Sequence, residues 1–107
     1  SRGLGDVYKR QVLHAVQTRY MEDLSLIAFA QEYHINYIYL SRKFKEMTGE
    51  TFTDALMRVR MEKARQLIER DGFSERDTAP LVGYTNPYYF TGCYRKYFGL
   101  EDGKNEH

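Results

Sequence analysis

The chain carries one layout twice. Residues 24–49 and 74–99 each offer a Ser that can cap a helix, a helix of about two turns, a tight turn, and a second helix ending in a glycine. Aligned, Leu40-Ser41-Arg42-Lys43-Phe44-Lys45 faces Phe90-Thr91-Gly92-Cys93-Tyr94-Arg95, and the pairs Phe44/Tyr94 and Gly49/Gly99 fall in register. A repeat of this kind restricts the chain to two copies of one supersecondary unit, so whatever the first unit buries the second should bury too.

The apolar spacing says that those units are helical, and no alternating strand pattern persists. Leu13, Val16 and Tyr20 form one stripe of a first helix. Ser25 is placed to cap a helix carrying Leu26, Ile27, Phe29 and Ala30, which ends near Tyr33-His34-Ile35-Asn36. Asn36 can cap the next helix, in which Leu40, Phe44 and Met47 recur on a core face until Gly49 stops it. A longer helix is predicted over 53–69, with Ala55, Leu56, Val59, Ala64, Leu67 and Ile68 inward and Asp71-Gly72 at its end. Ser74-Glu75-Arg76-Asp77 has the form of a capping box with Asp in place of Glu. Gly83-Tyr84-Thr85-Asn86-Pro87 makes a turn and a new start, with Pro87 where its missing N–H costs little. Tyr89, Phe90, Tyr94, Tyr97 and Phe98 then recur until Gly99. The predicted fold is all-α: two helix-turn-helix units (24–49 and 74–99) joined by a long linker helix (53–69), within a domain spanning 12–100.

Composition narrows the chemistry. At 107 residues the chain can bury a core without staples, and its ten Tyr and six Phe supply much of it. No apolar run approaches the roughly 18 residues of a membrane span, and no secretory leader pattern is visible, so a cytoplasmic protein off the membrane is expected. Cys93 is the single cysteine, which excludes an internal disulfide and reads as a partly buried structural thiol. A catalytic thiol needs a His near it, and His14, His34 and His107 are distant in sequence. There is no Gly-rich phosphate loop and no His-Glu-x-x-His pattern, so no catalytic residue, metal or cofactor is expected. Glu22-Asp23 reads as a solvated turn, because adjacent helical residues do not face each other. The Tyr-rich stripe could be a ligand box, but its helical spacing favours core packing.

Net charge is +1, which does not announce nucleic acid. Local distribution does more: Arg42-Lys43-Phe44-Lys45 and Tyr94-Arg95-Lys96-Tyr97 are basic clusters with aromatics beside them, although each also reads as an ordinary solvated face. In a helix-turn-helix the second helix enters the major groove, and residues in its N-terminal half read base edges. Away from the Leu40/Phe44 face the first unit offers Tyr37, Ile38, Ser41 and Arg42, with Lys45 nearer the helix end as a phosphate contact. The second offers Tyr88, Tyr89 and Gly92, with Arg95 and Lys96 facing phosphates. Two units on one chain could reach successive major grooves without dimerising.

These residues resemble the AraC-type transcription regulators. The resemblance covers about residues 12–99 and rests on Tyr39-Leu40-Ser41-Arg42-Lys43-Phe44-Lys45 with Thr48-Gly49, on Arg60 through Leu67 (RMEKARQL), and on Val82-Gly83-Tyr84 with Tyr89-Phe90 and Tyr97-Phe98-Gly99. It implies a double-stranded-DNA-binding domain behind an N-terminal sensing or receiver domain, with RNA polymerase as a further partner. It implies DNA contacts at Ile38, Ser41 and Arg42 in the first recognition helix, and at Tyr88, Tyr89 and Gly92 in the second.

The departures from the family fall mostly in the second unit. Glu75 and Thr78 stand where the family has apolar residues, Pro80 sits mid-helix, and Gly92 replaces a contacting side chain. His34 takes the place of a turn glycine, and of the non-glycine residues His tolerates the left-handed conformation better than most. Residues 1–11 (SRGLGDVYKRQ) read as a foreign leader or a linker, and 101–107 as a polar tail. The worn second unit leaves one alternative open: a protein–protein interaction module built on a degenerate helix-turn-helix.

Overall fold

The computed structural model describes residues 2–101, and residues 102–107 of the expected tail lie outside them. Among the described residues all regular structure is helical: α1 (Arg2–Thr18), α2 (Leu26–Tyr33), α3 (Tyr37–Thr48), α4 (Phe52–Arg65), α5 (Glu75–Leu81) and α6 (Pro87–Tyr97). A π-helical turn, Gln66–Arg70, continues α4 and closes with Asp71 N–H donating to the Gln66 carbonyl at 3.2 Å. The predicted linker helix is therefore regular over most of its length and widens at its C-terminal end. The chain divides into two compact units, and the boundary falls inside α4, between Val59 and Arg60.

The caps are local and follow the sequence. Ser25 Oγ accepts from Ala28 N at 3.3 Å, Asn36 Oδ1 from Tyr39 N at 3.0 Å, and Ser74 Oγ from Asp77 N at 2.9 Å. Each serves a first-turn N–H that the helix leaves unbonded. Thr51 caps α4 in the same way, accepting from Asp54 N at 3.1 Å. Asn86 caps α6 through two bonds, from Tyr88 N and Tyr89 N, with Pro87 in the first turn.

The turns repeat as closely as the helices. After α2, His34 sits at φ 57°, ψ 42°, and Ile35 N–H donates back to the Ala30 carbonyl at 3.0 Å. After α5, Gly83 takes φ 96°, and Tyr84 N–H donates to the Ala79 carbonyl at 2.9 Å. Both are Schellman ends built over a buried alanine. The second turn then spends one more residue, Thr85, before its Asn cap.

In the first unit Val12, Ala15 and Val16 of α1 meet Leu26, Phe29 and Ala30 of α2, Leu40 and Phe44 of α3, and Phe52, Ala55, Leu56 and Val59 of α4. Phe52 ties this core together, with its ring 6.4 Å from Phe29 and 6.0 Å from Phe44, both edge-on. Ile27, between the buried Leu26 and Phe29 of α2, is exposed. Tyr20 lies past the end of α1 and only half-buried, so the stripe is carried by Val12 and Val16. Residues 2–11, set apart on sequence grounds, form the first turns of α1, and Tyr8 stacks on Tyr33 at 4.1 Å.

In the second unit Met61, Ala64, Ala79, Val82, Tyr84, Phe90 and Tyr94 are buried. Leu67 and Ile68 are only half-buried. An aromatic ladder runs from Tyr84 through Phe90 and Tyr94 to Phe98, with centroid spacings of 5.3, 5.7 and 5.0 Å. Two cations from α4 cover its ends: the Arg60 guanidinium lies over Tyr84 at 5.6 Å and that of Arg65 over Phe98 at 4.8 Å. Thr78, polar where the family has an apolar residue, still serves the core. It is fully buried, and its hydroxyl donates to the Ser74 carbonyl at 2.8 Å, so its methyl packs while its polar atom is satisfied.

Candidate nucleic-acid interface

Leu40 and Phe44 anchor α3, and Phe90 and Tyr94 anchor α6; all four are buried at repeat-equivalent positions. Fixing one face of a helix inward fixes which residues stand on the other. On α3 the outward arc holds Tyr37, Ile38, Ser41, Arg42 and Lys45. Ile38 is 62% exposed, Tyr37 is exposed and Ser41 is half-buried. Arg42 and Lys45 are exposed and make no ion pair or hydrogen bond among the described residues. Lys43, the middle cation of the cluster, is used otherwise, 3.8 Å from Glu46 and 5.5 Å from the Tyr39 ring centroid. So α3 presents a tyrosine ring, one apolar branch, a serine hydroxyl and two available cations on a single strip.

On α6 the outward arc holds Tyr88, Tyr89, Gly92 and Lys96. Tyr88 is 78% exposed and Tyr89 64%. Around Gly92 there is open space, with nothing within 4 Å of where a Cβ would stand. The pKa of Tyr89 is raised, chiefly by the neighbouring Cys93 thiol. Tyr94 and Tyr84, buried behind the arc, are raised by desolvation.

Arg95 departs from its sequence assignment as a phosphate-facing residue. It turns back toward α5, with its Nε and a terminal nitrogen on the two Glu75 carboxylate oxygens at 3.3 and 3.1 Å. A further nitrogen donates to the Glu101 carbonyl. The two side chains are only 26% and 23% exposed. Glu75, read from sequence as a poor core residue, is therefore the other half of a clasp between α5 and α6. Lys96 remains exposed on α6 and makes no ion pair among the described residues.

Beside the α3 arc lies an open groove of about 500 Å³. Tyr37 and Ser41 line one side, and the starts of α2 (its cap Ser25, and Ile27) and of α4 (its cap Thr51, and Thr53) line the others. Helix N-termini present unbonded N–H groups and a partial positive charge. Sequence reasoning did not place Ile27 and Thr53 here, although the caps Ser25 and Thr51 mark both helix starts.

Known proteins share this chain's sequence pattern and fold. Residues 29–101 match the family described as "Helix-turn-helix domain". The chain is 29% identical over 104 residues to the "Uncharacterized HTH-type transcriptional regulator YpdC" of Escherichia coli (strain K12), covering 97% of this chain and 36% of that protein. It thus spans little more than a third of that relative's length. Among solved structures it is similar to the C-terminal domain of AraT, a response regulator from Geobacillus stearothermophilus. That likeness has a TM-score of 0.78, 26% identity, and coverage of 94% of this chain and 92% of the other. It is similar too to the C-terminal domain of the two-component response regulator yesN from Fusobacterium nucleatum, with a TM-score of 0.77, 26% identity, and coverage of 87% and 97%. The chain belongs to the AraC-type family of helix-turn-helix transcription regulators.

Proposed function

We propose that the chain binds double-stranded DNA at chosen sequences and regulates transcription, with α3 and α6 as its two recognition helices in successive major grooves. The observation that carries the reading is the α3 arc: Ile38, Ser41 and Arg42 sit in the N-terminal half of a helix whose other face is locked by Leu40 and Phe44. That is where a recognition helix meets base edges. Arg42 has the fork geometry for a guanine, Ser41 a single hydroxyl for either base, and Ile38 an apolar branch. Tyr37 and Lys45 flank them toward the backbone. On α6, Tyr88, Tyr89 and Gly92 meet the bases, and Lys96 faces a phosphate.

The backbone supplies most of the affinity. Arg42, Lys45 and Lys96 are available cations, and the α2 and α4 N-termini open beside the α3 arc. In this reading the chain is the DNA-binding part of a longer cytoplasmic bacterial regulator. A sensing or receiver domain precedes it, RNA polymerase is a further partner, and neither catalysis nor a cofactor is involved.

The test is duplex binding against salt. With on the order of four to six phosphates neutralised, affinity should fall by about 0.9 log units per phosphate per decade of salt. Lys45→Ala should weaken all sequences alike and reduce that slope by about 1. A folded chain that ignores duplex DNA at low salt, or binds it with no salt dependence, contradicts the proposal and leaves the protein–protein module.

A further inference from the structure

We infer that α6 reads its half-site through thymine methyl groups, with the exposed ring of Tyr88 as the principal reader and that of Tyr89 beside it. The inference rests on the proposed DNA binding and names the base that the second helix selects. Three observations on α6 carry it.

The first is what the arc lacks. Bidentate reading of guanine or adenine needs a guanidinium, an ammonium or a side-chain amide. Across the N-terminal half of α6 none is free. Asn86 has its amide oxygen committed to the Tyr88 and Tyr89 N–H groups. Arg95 is held by Glu75 and the Glu101 carbonyl. Lys96 lies in the last turn, where a recognition helix passes the backbone and not the bases.

The second is what the arc has. Tyr88 and Tyr89 stand 78% and 64% exposed, two large rings on adjacent positions of a helix whose Phe90 and Tyr94 are packed inward. The one base feature that rewards an apolar surface in the major groove is the thymine C5-methyl.

The third is the space. With no side chain at Gly92 and nothing within 4 Å of it, the helix can lie closer to the groove floor. That brings rings set one turn earlier against groups that project from the base edge.

The experiment uses the 107-residue chain and a duplex selected by it from a random pool. Each thymine of the half-site under α6 is replaced by deoxyuridine, which removes the methyl and keeps the hydrogen-bonding edge. Affinity should drop about fourfold for each ring-covered methyl that is removed. Tyr88→Phe should keep this dependence, and Tyr88→Ala should lose it at the methyl that the Tyr88 ring covers. Tyr88 is exposed, so neither change disturbs the core. Equal binding of both duplexes by the unmodified chain overturns the inference, as does a Tyr88→Phe chain that behaves like Tyr88→Ala. Absence of binding to any duplex is a different result, since it fails the DNA reading itself.

Discussion

Replacing Pro80 with alanine should stabilise the second unit. Ser74 caps α5, and Thr78 N–H donates to the Ser74 carbonyl at 3.0 Å, which fixes the register. In that register Pro80 is the sixth residue of a seven-residue helix, and a normal residue there would donate to the Arg76 carbonyl. Proline in a regular helix interior costs about 3 kcal/mol against alanine, through the missing bond and the ring's crowding of the preceding turn. Two facts reduce the figure here. Pro80 lies in the last turn, with Arg76 exposed, so the orphaned carbonyl can bond water. Proline also lowers the entropy of the unfolded chain, worth about 0.4–1 kcal/mol in its favour. Pro80 is exposed, so alanine leaves no cavity. The net expectation is a gain of about 1–2 kcal/mol, or a Tm rise of about 5–10 °C for a domain of this size. Calorimetry on the two chains measures it. Hydrogen exchange supplies a local readout: amides 78–83 should exchange faster than 28–33 in the parent, and the gap should narrow in Pro80→Ala. A neutral or lowered Tm would refute the reasoning, because it would mean that α5 does not hold the register its cap dictates.

Two further outcomes follow from particular contacts. Glu75→Gln should destabilise the second unit by about 1–2 kcal/mol, between the value of an exposed pair and that of a buried one; it leaves Arg95 three-quarters buried beside a neutral partner, and an unchanged Tm would mean that the clasp contributes nothing. A chain shortened to begin at Val12 should lose about 1 kcal/mol with the Tyr8–Tyr33 stack, yet bind duplex DNA with unchanged affinity and salt slope; a change in either would bring residues 1–11 into the function.

The sequence was most legible where a residue acts on its own neighbours. Ser25, Asn36 and Ser74 cap because their side chains reach a backbone N–H three positions on, and His34 turns left because the chain must reverse there. The repeat carried the inward faces of α3 and α6, since burial of Leu40 and Phe44 demands burial of Phe90 and Tyr94. What it could not carry were pairings between elements. Glu75 looked like a defect in α5 because its partner, Arg95, lies twenty residues on and on another helix. Thr78 looked like a polar residue in an apolar slot, since nothing local says that its hydroxyl closes on its own helix while its methyl packs. Phe52 and Met61 were overlooked as core residues, although both are buried: Phe52 precedes the predicted helix start at 53, and Met61 lies off the stripe of Ala55, Leu56 and Val59, one turn before Ala64. The arc residues of α3 and α6 came from the same periodicity, and the structure added which cations on them are already engaged.

The claim on which the account stands is that α3 reads bases, and Arg42→Ala tests it most directly. Arg42 is exposed, so the variant should fold as the parent does. Duplexes are selected from a random pool by each chain, and affinities are then measured for single-base variants of the parent's site. The account predicts that Arg42→Ala loses about 1–3 kcal/mol on the parent's best site and loses preference at one or two base pairs, while the other positions keep theirs. An equal loss on every sequence, with every preference intact, would make Arg42 a backbone contact and contradict the account.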